Sequence, residues 1–140
     1  MTLIVDASVA VKWAVEEEGH EDAVALFAAG HEFLVPDFLL IEVGNVLWKK
    51  LRRGQVAAEQ AHASLKAVGE TLSDLVHSWS LAERALEISI ELDHPMYDCI
   101  YLAAAEEYAA TLVTADKRLL KAIAGGPFAS LAAPLAGSPL

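Results

Sequence analysis

Cysteine is almost absent from this 140-residue chain: Cys99 stands alone, so no intrachain disulfide framework exists. That sets aside small disulfide-stapled folds and fits a reducing, cytoplasmic compartment. Basic residues are scarce too. Ten Lys and Arg against 20 Asp and Glu leave a formal net charge of −10, which argues against a general nucleic-acid coat protein, because non-specific phosphate binding needs clustered cations. One local patch remains at Lys49, Lys50, Arg52 and Arg53. It reads either as nucleic-acid contact or as complementation of a helix dipole at its carboxyl end.

Further absences narrow the field. No basic segment precedes the first apolar stretch, which Asp6 and Lys12 interrupt, so no secretory signal is read there. The uncharged run from Ala122 to Leu140 is broken by Gly125, Gly126, Pro127, Pro134, Gly137 and Pro139. It therefore reads as a short strand and a loose tail (125–140), not a membrane helix. No Gly-x-Gly-x-x-Gly follows the first apolar run, which sets aside a dinucleotide-binding enzyme. Ser8 stands two residues after Asp6, where a haloacid-dehalogenase-like phosphatase would need a second Asp. The five histidines are dispersed, without zinc spacing, and read as surface residues. Cys99, in an apolar stretch with no adjacent cation, reads as core and not as a nucleophile. Trp13, Trp48 and Trp79 suit a core or a protein interface better than base stacking, with Trp13 and Trp48 the candidates for partner contact.

Apolar material is abundant, at 55% hydrophobic residues, enough for one domain with a sizeable core. Thr2 to Val5, continuously apolar and β-branched, predicts a central parallel strand. Helices are predicted from Ala7 to Glu18, closed by Gly19, and from Glu21 to Ala29, closed by Gly30. Phe33-Leu34-Val35 predicts a strand, and Pro36-Asp37 the start of a long helix through Arg53. Further helices are predicted over 57–68, 81–92, 97–110 and 116–123, with strands at 75–77 and 111–113. Alternating strands and helices imply an α/β fold, a three-layer αβα sandwich around a central, mostly parallel sheet.

Four carboxylates interrupt this apolar pattern: Asp6 after the first strand, Glu42 and Asp98 within apolar helices, and Asp116 after the 111–113 strand. Unpaired carboxylates in such places are costly. If the fold gathers them, their repulsion calls for a cation, and an all-oxygen set suits Mg²⁺ or Mn²⁺. Alternatives at single positions are helix capping for Asp6, Ser8 and Asp98, and a solvated or ion-paired position for Glu42. Glu42 and Asn45, three apart, share one helix face.

The order V-D-A-S, E-x-x-N, Y-D and V-T-A-D resembles the PIN-domain nucleases, with VapC-type toxins the closest likeness. The segments Leu39 to Gly54, Tyr97 to Glu106 and Leu112 to Leu119 extend the likeness, which spans residues 3 to about 123 within a predicted domain over 1–124. The resemblance implies that Asp6, Glu42, Asp98 and Asp116 bind the divalent metal and are catalytic, with Ser8 and Thr114 as hydroxyl supports and Asn45 facing the same cleft. It further implies a Mg²⁺-dependent (Mn²⁺ possible) endoribonuclease toxin that leaves a 5′-phosphate, forms a homodimer and is neutralised by a VapB-type antitoxin. Lys12, Lys117 and Arg118 would neutralise phosphate or simply be solvated. A PIN-like RNA-binding or regulatory module without turnover is the alternative.

Overall fold

Leu3, Ile4 and Val5 are all fully buried in strand β1 (Thr2–Val5), although successive side chains of a strand point to opposite faces. Both faces are therefore covered, as a parallel sheet between helix layers requires. In the computed structural model, which describes residues 1–136, β1 lies between β2 (Glu32–Phe33) and β5 (Thr111–Thr114). An edge strand, β6 (Ala132–Pro134), completes an all-parallel sheet of order β2-β1-β5-β6. A separate parallel pair joins β3 (Val35–Pro36) to β4 (Leu75–Val76).

Among the described residues, seven α-helices flank these strands: α1 (Ala7–Ala14), α2 (His20–Ala28), α3 (Leu39–Arg52), α4 (Ala58–Thr71), α5 (Ala82–Leu92), α6 (Met96–Glu107) and α7 (Lys117–Ile123). Both α1 and α6 pack against β1 and β5; α1 also packs on α2, α3 and α4, and α6 on α5. Cys99 to Ala105 is buried without interruption, so α6 is apolar all round and lies within the core. The strand order turns at β1, which has β2 on one side and β5 on the other. Ligands of open α/β sheets gather at the carboxyl ends of strands at such a switch point. No helix among the described residues is long and apolar enough to cross a membrane.

Several predicted boundaries move, each for a visible reason. The first helix stops at Ala14, not Glu18, because Val15 is extended (φ −117°, ψ 125°) and buried. Three successive glutamates at a helix carboxyl end would also oppose its dipole. Glu17 instead takes the ammonium groups of Lys12 (3.1 Å) and Lys50. Burial alone would raise the Glu17 carboxyl, but Lys50 and Lys12 hold it below the usual range. Gly19, in the left-handed region at φ +89°, opens α2; it does not close α1.

The strand over Phe33-Leu34-Val35 divides at Leu34. Glu32–Phe33 pairs with β1, and Val35–Pro36 leaves that sheet to pair with β4. Pro36 is therefore a strand residue, and Asp37 donates its N–H to Val76 O at 2.8 Å, so the long helix begins only at Leu39. The α4 helix runs on to Thr71, and α6 ends at Glu107, where Ala109 (φ +49°) turns the chain into β5. The short terminal strand is present as β6; the last part of the tail read as loose, 137–140, lies outside the described residues.

Candidate metal centre and cleft

Asp6 follows directly from the strand register. Val5 is paired with Val113, so the next residue on each strand, Asp6 and Thr114, meet at the carboxyl edge of the sheet. Asp6 caps α1, accepting the Val9 N–H at 3.3 Å. It also accepts the hydroxyls of Ser8 (2.5 Å) and Thr114. Those hydroxyls are held in turn: Ser8 Oγ accepts the Ala115 N–H and Thr114 Oγ1 the Asp116 N–H, each at 3.0 Å. Asp116 caps α7 through the N–H groups of Arg118 (2.9 Å) and Leu119 (3.3 Å).

Two helices deliver the other carboxylates from their first turns. Glu42 of α3 accepts the hydroxyl of buried Tyr101 at 2.6 Å. Asp98 of α6 meets the imidazole of His94 at 2.7 Å, where the His94 side chain is only 9% exposed. His94 is fixed from behind, since Ser89 Oγ donates to its carbonyl at 2.5 Å.

Burial pushes the Asp6 carboxyl up to about 6; the Ser8 and Thr114 hydroxyls pull it down, and the charge of Asp98 pushes it up again. Glu42 is also raised, first by burial and then by Asp98 and Asp6, against the opposing Tyr101 hydroxyl. Burial raises Tyr101 strongly, with the charge of Glu42 next, so it remains a neutral donor. Asp6, Glu42 and Asp98 therefore share one electrostatic neighbourhood, whereas Asp116 reaches it only by donating its backbone N–H to Thr114 Oγ1, its carboxylate being turned to the start of α7.

The donor set is all oxygen, the chemistry a hard divalent cation takes. Among the described residues no three His, Cys, Asp or Glu side chains already stand as ligands of one ion. Each carboxylate is instead satisfied by an internal donor. Glu42 Oε2 and Asp98 Oδ1 carry no such donor among the described residues. Burial lifts Asp6 and Glu42 first and the charge of Asp98 adds to it; a cation would offset both, so the residues fit such an ion in charge and chemistry.

An open cleft of about 770 Å³ leads to Glu42. Glu42, Asn45 and Lys49 line it from α3, at spacings of three and four along one helix face, as read for the first two. Ala7 and Ile100 lie at its base, and Trp79 and Tyr97 also line it. The basic patch is only partly available, because Lys50 is engaged with Glu17 and Arg52 lies over the Trp48 ring at 5.0 Å. Lys12, expected near the acidic site, is bound to Glu17 as well.

Sequence reasoning missed His94 and Tyr101. The reading of every histidine as a surface residue fails at His94. An Asp four residues downstream was its signal, masked by Pro95, which breaks the helical spacing between them. Tyr101 lies three residues after Asp98 in α6 and hence on the same face, but a tyrosine in an apolar run reads as core until its partner is known. Trp13 is partly buried against Phe27 and Phe33, with its indole N–H donated to Ala23 O, whereas Trp48 is half-exposed and Trp79 almost fully exposed.

Fold and site together define a parallel α/β domain whose carboxylates gather at the edge of strands β1 and β5. The chain belongs to the PIN-domain family, whose model matches residues 3–125. It is 33% identical over 121 residues to Ribonuclease VapC3 of Pyrobaculum aerophilum, a match covering 85% of this chain and 92% of that protein. The crystal structure of PAE2754 from Pyrobaculum aerophilum superposes with a TM-score of 0.68 at 26% identity, over 90% of each chain. The VapC-type likeness read from the motifs thus extends over most of the sequence.

Proposed function

We propose that this protein is a metal-dependent endoribonuclease, the toxin of a toxin–antitoxin pair. The observation that carries this reading is that Asp6, Glu42 and Asp98 feel one another's charge and Glu42 lines an open cleft, in a chain similar to a protein named Ribonuclease VapC3. Asp6, Glu42, Asp98 and Asp116 would hold Mg²⁺ or Mn²⁺. Once bound, the ion supplies a water of lowered pKa and neutralises charge on the phosphodiester.

The chain's own groups orient and exclude. Ser8 and Thr114 fix the Asp6 carboxylate, Tyr101 fixes Glu42 and His94 fixes Asp98, so little reorganisation remains when substrate arrives. Asn45 and Lys49 contact the RNA from the α3 wall. No covalent intermediate is needed. Cys99 is buried and its thiol is pushed up to about 11 by burial and by Asp98, which leaves it unreactive. A VapB-type antitoxin covers the cleft to hold the enzyme inactive, and the protein works as a cytoplasmic homodimer.

Purified protein is expected to cut single-stranded RNA in Mg²⁺ or Mn²⁺, leaving 5′-phosphate ends, and to stop when the metal is chelated. The assay is gel-resolved cleavage with 5′-end mapping. Undiminished cleavage in excess chelator would refute the metal-dependent reading.

A further inference from the structure

One cleft residue has no place in the chemistry above. Trp79 lies in the short 3₁₀ turn Ser78–Leu81, whose last residue is anchored in the core at 3% exposure while the indole itself is 84% exposed. The turn is closed by the Ser80 hydroxyl, which donates to His77 O at 2.7 Å. The His77 ring packs edge-on to the indole at 6.3 Å, so the indole is braced without being covered. Tyr97, 65% exposed, lines the same cleft and contacts Phe38 at 6.2 Å. Two large rings, held at their bases and open to solvent, therefore share a cleft with Glu42.

Electrostatics makes such rings useful. The chain carries a net charge of −10, and Lys49 is the cation that lines the cleft. Lys12 and Lys50 are committed to Glu17 and Arg84 to Glu87 and Glu106, while Arg53, Lys117, Arg118 and Lys121 do not line this cleft. Counterion release from phosphates therefore supplies little affinity for a polyanion. Stacking compensates, because an aromatic face binds any base and needs no countercharge. The polar side chains of Glu42, Asn45 and Lys49 line the same cleft as the two rings, so a base and its sugar-phosphate backbone each meet groups of matching chemistry.

We propose that Trp79, assisted by Tyr97, is the nucleobase platform of the cleft, stacking on a base adjacent to the phosphate presented to the acidic centre. The proposal deepens the ribonuclease reading and rests on it for the identity of the polymer. Its chemistry is separable, because stacking is observable without turnover.

The test pairs fluorescence with kinetics. Short oligouridylate and oligoadenylate, mixed with the protein in Mg²⁺, are expected to quench the indole emission of the wild type, and this quench should disappear in Trp79→Phe, which lacks that indole. On a random-sequence single-stranded RNA pool, Trp79→Ala is expected to raise the half-saturating concentration by about 10-fold, the scale of losing one stacked base. The loss should fall there and not in the saturated rate, and Trp79→Phe should restore binding to within about 3-fold. An unchanged half-saturating concentration in Trp79→Ala overturns the proposal, as does a failure of phenylalanine to rescue. Unchanged RNA binding with a smaller sedimenting species would assign the indole to a protein interface and also overturn it. If the wild type is quenched by RNA yet cleaves none of the pool, the nuclease reading fails and the platform stands; cleavage with no quench and no alanine effect gives the reverse.

Discussion

Asp6→Asn is expected to abolish RNA cleavage while making the metal-free protein more stable at neutral pH. The carboxyl is 5% exposed and pushed from 3.8 to about 6, chiefly by burial. A folded value above the unfolded one means that the native state binds the proton more tightly. The associated stability is fully present below pH 3.8 and is lost as pH rises through about 6. At neutral pH the ionised carboxylate thus costs the metal-free fold something on the order of 2–3 kcal/mol. Asparagine removes that cost but accepts the Ser8, Thr114 and Val9 donors less well, so the net gain should be about 1–2 kcal/mol, or a few degrees in Tm. It should appear near pH 7.5 and vanish near pH 4. Cleavage should fall by at least about 10²–10³-fold, the scale of removing one preorganised electrostatic group. Parallel melts and cleavage assays at the two pH values decide it. Wild-type turnover, or a stability difference indifferent to pH, would remove Asp6 from its assigned place.

Tyr101→Phe should be nearly as damaging by the opposite route. Tyr101 is 1% exposed and its ring packs edge-on to Phe38 at 5.5 Å, so phenylalanine keeps the packing and deletes only the hydroxyl. What it takes away is the 2.6 Å donor on Glu42, the one influence that lowers that carboxyl. Glu42 would then be raised further by burial and by Asp98. The metal-free protein is expected to lose about 1 kcal/mol at neutral pH, the net worth of one hydrogen bond to a half-buried carboxylate. Affinity for Mn²⁺ is expected to drop by about 10–100-fold, as when an outer partner of a metal ligand is lost. Denaturant unfolding and a Mn²⁺ titration measure the two effects. Wild-type values in both would make the Tyr101 contact incidental.

Much of this arrangement was legible in the sequence because its strongest signals are local. Leu3-Ile4-Val5 followed by Asp6, and Leu112-Val113 followed by Thr114 and Asp116, state that two buried strands end in polar groups at one edge. The 42, 45 and 49 spacing states one helix face. The parts that were not legible depend on distant partners. Glu17 pulls the chain out of α1 only because Lys50, 33 residues away, comes to meet it. Leu34 divides a strand only because β4 recruits Val35–Pro36 into a second pair. His94 and Tyr101 are unremarkable until α3 and α6 are packed beside Asp6, and the exposure of Trp79 depends on the short turn that lifts it out of the core.

The central claim is that Asp6, Glu42 and Asp98 are a coupled cluster built to be neutralised by a divalent cation. Calorimetric titration with Mn²⁺ in buffers of differing ionisation enthalpy tests it most directly, because binding must expel the proton that a raised carboxyl retains. The wild type should release protons on binding near pH 6, where Asp6 titrates, and apparent affinity should climb with pH through that range. Asp6→Asn should release fewer. Mn²⁺ binding by the wild type with no proton release from acidic to neutral pH would contradict the account.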